Sequence, residues 1–144
     1  MSAATLKIAV GLGCDRGTPL ATLQQALGEA LALAGAGLAD VAAAGSIDLK
    51  ADEPGLLALA ALHGWPMTFY TPAQLAAVQV PNPSETVRKY TGSPSVSEAA
   101  ALLAGSAAGQ ALPATALLVE KHKHRGADGR NATVSLACCH GFHL

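Results

Sequence analysis

Short apolar runs alternate with Ala/Leu-rich stretches that begin near Pro and end at Gly, and this alternation constrains the fold more than any other feature. Leu6 to Val10 is the first apolar run. It leads into Gly11-Leu12-Gly13, which predicts a buried strand feeding a glycine turn. Thr18-Pro19 then offers an N-cap followed by Pro at the first helical position. Leu20, Leu23, Leu27, Ala30 and Leu31 mark one face of the helix that follows, and Gly35 and Gly37 stop it. Val41 to Ile47 is a second strand. Asp52-Glu53-Pro54 opens a second helix, with Asp52 as its N-cap and Gly64 as its stop. Met67 to Tyr70 is a third strand, and Thr71-Pro72 caps a short helix over Ala73 to Ala77. Asn82-Pro83-Ser84-Glu85 opens a weaker helix. Ser95 and Glu98 form a capping box ahead of a helix over Val96 to Ala104. Thr115 to Glu120 and Asn131 to Ala137 read as the last two strands, joined by a loop over Lys121 to Arg130 that is too short for a parallel crossover.

This order predicts an α/β fold of three layers, α/β/α, with a mostly parallel sheet and a C-terminal antiparallel hairpin. The length of 144 residues suits one domain over 1–144, with Cys138 to Leu144 expected to be a frayed tail. Charged residues make up 13% of the chain and the formal net charge is −1, which argues against a nucleic-acid partner held through phosphates. Aromatics are 3%, too few for base-stacking platforms. Ala99 to Val119 is uncharged, but its Ala and Gly content and Pro113 argue against a membrane span. Three cysteines, two of them adjacent, form no disulfide framework, and with no signal peptide at the N-terminus the expected location is cytoplasmic.

In open α/β sheets, ligands bind beyond the carboxyl ends of the strands. After the first strand, Gly11, Gly13 and Gly17 leave room for close backbone approach, and the helix start favours an anion. The spacing has one residue more than the dinucleotide fingerprint. Cys14 beside Arg16 reads either as an activated thiol or as a small buried apolar group. After the second strand, Asp48 and Lys50 lack the local helix-capping role that accounts for Asp52 and Glu53. They suit acid–base work or an acidic ligand, or else form a solvated ion pair. Lys121, Lys123, Arg125 and Arg130 are four of the nine basic residues, interleaved with His122 and His124. Arg and Lys there suit carboxylates or phosphates, and Lys and His would face opposite sides if the strand extends through them. The Cys138-Cys139-His140 and His143 tail does not match zinc-ligand spacing, so no metal or other cofactor is expected.

Four stretches taken together carry a family resemblance. They are Gly11 to Gly17, Ser46 to Leu56, Val80 to Glu85 and Gly92 to Ala100. In this order and spacing they resemble the cobalamin-biosynthesis CobE family, which is similar to the C-terminal domain of CbiG, the cobalt-precorrin-5A hydrolase. The resemblance covers roughly residues 5 to 137. It implies a role in the corrin-ring part of vitamin B12 synthesis, with a corrinoid or precorrin intermediate as ligand and other enzymes of the pathway as partners.

Corrin intermediates carry acetate and propionate groups around a flat apolar ring, so a protein holding one needs positive groups around an apolar cleft. Gly11, Gly13, Cys14, Arg16, Gly17, Lys50, Asn82, Ser84, Lys121, Lys123 and Arg125 are the expected binding residues. Two main readings stand. One is a carrier or accessory protein that binds the intermediate without turnover. The other is a hydrolase opening a ring lactone, as in CbiG, with Asp15, Asp48 and Glu85 as acid–base groups and water as nucleophile. A nucleotide-binding regulator is a third.

Overall fold

The computed structural model describes residues 7–78, 80, 96–106 and 111–139. Five strands form one sheet: β1 (Ile8–Cys14), β2 (Val41–Ile47), β3 (Met67–Tyr70), β4 (Leu117–Arg125) and β5 (Asn131–Cys138), in the order β3-β2-β1-β5-β4. β1, β2 and β3 are parallel, whereas β5 runs antiparallel to both β1 and β4. Helices α1 (Leu20–Ala34) and α2 (Pro54–His63) cover one face, where Val10, Leu12, Val134 and Leu136 meet Leu23, Leu27, Leu56 and Leu59. Helices α3 (Pro72–Ala76) and α4 (Val96–Ala104) lie on the other face, over Ile47 and Ala137. The expected three-layer α/β architecture is the observed one.

Two strand boundaries differ from expectation, and each changes the site. β1 does not stop at Val10 but continues through both glycines to Cys14. Gly11 is therefore a strand residue and not part of a turn. A Cβ there would lie 1.8 Å from the Ser97 carbonyl oxygen, so the missing side chain admits helix α4. Gly45 on the neighbouring strand has the same role, its imagined Cβ falling 2.8 Å from Tyr70 Cε2 and 3.2 Å from the Ala100 carbonyl. Close helix–sheet approach, rather than ligand approach, explains these two positions.

β4 likewise runs on to Arg125, because Lys123, His124 and Arg125 pair with Thr133, Ala132 and Asn131 of β5. The turn is confined to the residues from Gly126 to Arg130, with Gly129 at φ 86°. The cation-rich stretch is thus an edge strand with fixed faces and not a loose loop. Cys138 closes β5 and the Cys139 amide donates to the Lys7 carbonyl at 2.9 Å, so these two residues are held and only 140–144 of the expected tail lie outside the described residues.

Helix starts also depart from expectation. Pro19, not Thr18, is the N-cap of α1; the Thr18 hydroxyl instead donates to the Asp15 carbonyl at 2.7 Å. Glu53, not Asp52, is the N-cap of α2, and its side chain makes no cap bond because its carboxylate is engaged elsewhere. The Thr71 cap forms as expected: Thr71 Oγ1 accepts from the Gln74 amide at 3.1 Å and Gln74 Oε1 accepts from the Thr71 amide at 2.8 Å. Glu98 lies in the first turn of α4 and is fully buried, while its expected capping partner Ser95 lies outside the described residues.

Candidate functional site at the carboxyl end of the sheet

The parallel topology places the β1–α1 loop, the β2–α2 loop, the end of β4 and the start of β5 at one end of the sheet. Asp15, Arg16, Gly17, Asp48, Lys50 and Arg125 are brought to that end. Asn82, Ser84 and Glu85 lie outside the described residues.

A polar network fastens the two loops. Arg16 Nη1 pairs with Asp52 Oδ1 at 2.6 Å and with Glu53 Oε2 at 2.9 Å, and Arg16 Nη2 donates to the Leu49 carbonyl. The Gly17 amide donates to Glu53 Oε1 at 3.0 Å. Glu53 is 3% exposed, so its charge is buried but satisfied on both oxygens. Hydrogen bonding to Asp52 and Glu53 raises the Arg16 pKa further above its already high range, and the Arg16 guanidinium holds Asp52 below the ordinary carboxylate value. From the third side, Arg130 Nε donates to the Arg16 carbonyl at 2.9 Å. Asp15 Oδ2 accepts from the Asn131 amide at 2.8 Å and from Asn131 Nδ2 at 3.2 Å. Asp15 and Arg16 thus tie loops to strands. Nothing in the sequence spacing signals this, since the partners lie 33 or more residues away.

Cys14 packs against the α1/α2 core, and burial pushes its thiol pKa up despite the Lys50 charge nearby. It is a protonated, half-buried thiol, which matches the apolar reading and not the activated one. Gly17 has φ 77°, and a Cβ there would lie 3.2 Å from Arg130 Nε. Asp48 is exposed at the start of a single 3-10 turn, and Lys50 ends that turn half-buried.

On β4 the alternation separates two chemistries. His122 Nε2 lies 2.7 Å from Glu29 Oε1 and His124 Nδ1 lies 3.4 Å from Glu29 Oε2, so both imidazoles face α1. Lys123 and Arg125, which alternate with them in the regular register, project to the opposite side. Lys123 pairs in register with Thr133, which pairs with Gly13. On β2 and β3, Ile47 pairs with Tyr70 at the last register position. Together they form a terminal row on the α4 face, apolar and aromatic at one side and cationic at the other. Among the described residues, only Thr133 Cβ, at 3.9 Å, comes within 4 Å of an imagined Cβ on Gly13. Thr133 and Tyr70 were not expected as site residues; only the pairing register reveals them. Among the described residues no group of three or more His, Cys, Asp or Glu side chains is arranged to hold a metal ion. Among them, too, no helix is long and apolar enough to cross a membrane.

Comparison with known proteins gives the family. A profile described as Cobalamin synthesis G C-terminus matches residues 8–137. The chain belongs to that family. It is 42% identical over 96 residues to a cobalt-precorrin-5A hydrolase of Priestia megaterium, a match spanning 67% of this chain and 26% of that protein. It is 41% identical over 98 residues to a protein CobE of a Sinorhizobium species, spanning 67% of this chain and 64% of the relative. These matches therefore span about a quarter and just under two thirds of the two relatives. Among solved structures, that of CobE, from the cobalamin (vitamin B12) biosynthetic pathway, superposes with a TM-score of 0.69 at 34% identity, covering 92% of this chain and 90% of that one. The cobalamin biosynthesis protein chiG of Agrobacterium tumefaciens superposes with a TM-score of 0.59 at 26% identity, covering 92% and 98%. The CobE and CbiG relationship expected from the four sequence stretches holds, and it places the chain among proteins of cobalamin biosynthesis.

Proposed function

We propose that the chain binds a polycarboxylate corrin-ring intermediate at the carboxyl end of its sheet, as a carrier or accessory protein of cobalamin biosynthesis. The observation that carries this reading is the terminal row from Tyr70 and Ile47 through Gly13 and Thr133 to Lys123. A flat ring needs an apolar ledge, which the half-buried Tyr70 and the bare Gly13 supply, with Ile47 buried in the core between them. Peripheral carboxylates need cations and hydroxyls, which Lys123, Arg125 and Thr133 supply at one side of the row. Arg16 and Gly17 contribute by bracing the loops, and Arg16 keeps part of its guanidinium open to solvent, at 58% exposed.

The binding reading is preferred over turnover because the carboxylates nearest the row are committed. Asp15 is held by Asn131, and Glu53 by Arg16 and Gly17. The 42% identity to a hydrolase favours one second reading, lactone opening, for which the exposed Asp48 is the available acid–base group among the described residues.

The test is incubation of the pure protein with mid-pathway precorrins and with the finished corrin acid, recording the absorption spectrum and then the mass of the recovered ligand. A spectral shift with unchanged mass is the expected result. A mass change under catalytic amounts of protein establishes the hydrolase reading instead. No shift with any ring compound overturns the site.

A further inference from the structure

The opposite end of the sheet has the opposite chemistry. Helix α2, Pro54–His63, carries no Asp, Glu, Lys or Arg, and it turns Leu56 and Leu59 inward. Leu62, at its last turn, is 57% exposed. Leu33 at the end of α1 is 67% exposed and Leu38, just before β2, is 48% exposed. Both helices run back from the carboxyl end, so these leucines gather where the parallel strands begin. Trp65, stacked on His63 with ring centroids 4.5 Å apart, completes that edge. The Asp40 carboxylate at this end is turned onto the Gly37 amide at 2.9 Å, so the charge is met locally. A helix without charged residues that leaves leucines in water is a face built for burial.

The matching profile is that of a C-terminal portion, and it begins at residue 8, the first residue of β1. In the Priestia megaterium relative the match occupies only 26% of the protein. Additional chain in such relatives therefore enters ahead of Ile8, at the same end of the sheet as Leu33, Leu38, Leu62 and Trp65. An apolar interface between neighbouring domains of one chain is the kind that holds them fixed against each other. We infer that the Leu33–Leu38–Leu62 end docks a charge-poor, apolar protein surface equivalent to the region that precedes this domain in the longer relative. The carboxyl end then stays open for ligand. This assignment stands independently of what the ligand site binds.

The test is hydrogen exchange on the full chain alone and on a chimera in which it replaces the matching C-terminal portion of the Priestia megaterium hydrolase. Exchange over residues 57–65 slowed at least tenfold in the chimera, and returned to the free-chain rate by Leu62→Glu, is the expected result. Leu62 is already in water in the free chain, so Leu62→Glu is expected to leave its unfolding midpoint unchanged, which separates docking from folding. Equal exchange in chain and chimera overturns the inference, as does slowing that Leu62→Glu leaves in place. Concentration-dependent slowing in the free chain, with a dimer in sedimentation, assigns the face to a second copy and also overturns it. The intact hydrolase gives a second measurement that needs no chimera. Its stretch matching α2 is expected to be equally protected, and free-chain exchange rates there count against the docking face.

Discussion

Glu53 holds the β1–α1 loop with both carboxylate oxygens, taking Arg16 Nη1 on Oε2 at 2.9 Å and the Gly17 amide on Oε1 at 3.0 Å. The acid sits at the start of α2 and the base at the end of β1, so this pairing sets the distance between the two loops that border the site. It also explains why a carboxylate 3% exposed is tolerated in a chain so poor in charge.

Removing Glu53 is therefore expected to cost stability. Glu53→Ala leaves the Gly17 amide without its acceptor, and the expected loss is about 1–3 kcal/mol by urea denaturation. Arg16→Ala leaves the buried Glu53 carboxylate without its cation and is expected to lower the urea midpoint as well. Equal, negligible losses in both variants contradict the bracing role.

Glycine substitutions are expected to split by position. Gly11→Ala drives a methyl into the Ser97 carbonyl, so α4 must shift, and a loss of about 3 kcal/mol or failure to fold is expected. Gly28→Ala, exposed within α1 with nothing within 4 Å of the new methyl, is expected to gain about 0.5–1 kcal/mol. Thermal or urea midpoints of the two variants check this directly, and a well-folded Gly11→Ala protein would refute the close contact with α4.

The two faces of β4 are expected to respond differently. Lys123→Ala is predicted to weaken binding of the corrin acid about fivefold or more, an effect that shrinks as salt is raised. His122→Ala is predicted to leave binding intact but to lower the unfolding midpoint, since its partner is Glu29 on α1. Titration by absorption, paired with a melt, separates the two, and the reverse pattern would show that the ligand lies on the α1 face.

Acid is expected to loosen the α1–β4 contact. Hydrogen bonds from Gln25 and then His122 hold the Glu29 pKa below the ordinary glutamate value. A carboxyl whose folded pKa is depressed contributes stability above its unfolded pKa, and that contribution is lost as pH falls through the folded one. Asp52, lowered chiefly by its hydrogen bond from Arg16, follows the same sign. Urea midpoints are therefore expected to fall as pH drops through and below the usual carboxylate range. Glu29→Gln is expected to flatten part of that slope. An unchanged slope in the variant would rule out Glu29 as a contributor.

Much of the layer pattern was legible along the chain. Leu23, Leu27, Ala30 and Leu31 repeat at helical spacing and are buried as expected. The parallel start and antiparallel finish followed from connection lengths. Local signals failed where a neighbour distant in sequence outweighed them. Gly11-Leu12-Gly13 looks like a turn until α4 is seen packed on it, and Lys121 to Arg125 looks like a loop until β5 pairs with it.

The division between the two sources of information is physical. Side-chain periodicity, helix stops and chain connectivity act over a few residues, so the sequence by itself determined the elements, their order, the parallel crossover and the family. The groups that the Arg16, Asp15 and Glu29 side chains meet lie from 33 to 116 residues away, apart from the local Gln25. No local rule encodes such a distance. Only the folded sheet decided that Asp15 and Arg16 brace the loops, that His122 and Lys123 face opposite sides, and that Gly13, Thr133 and Lys123 share one row.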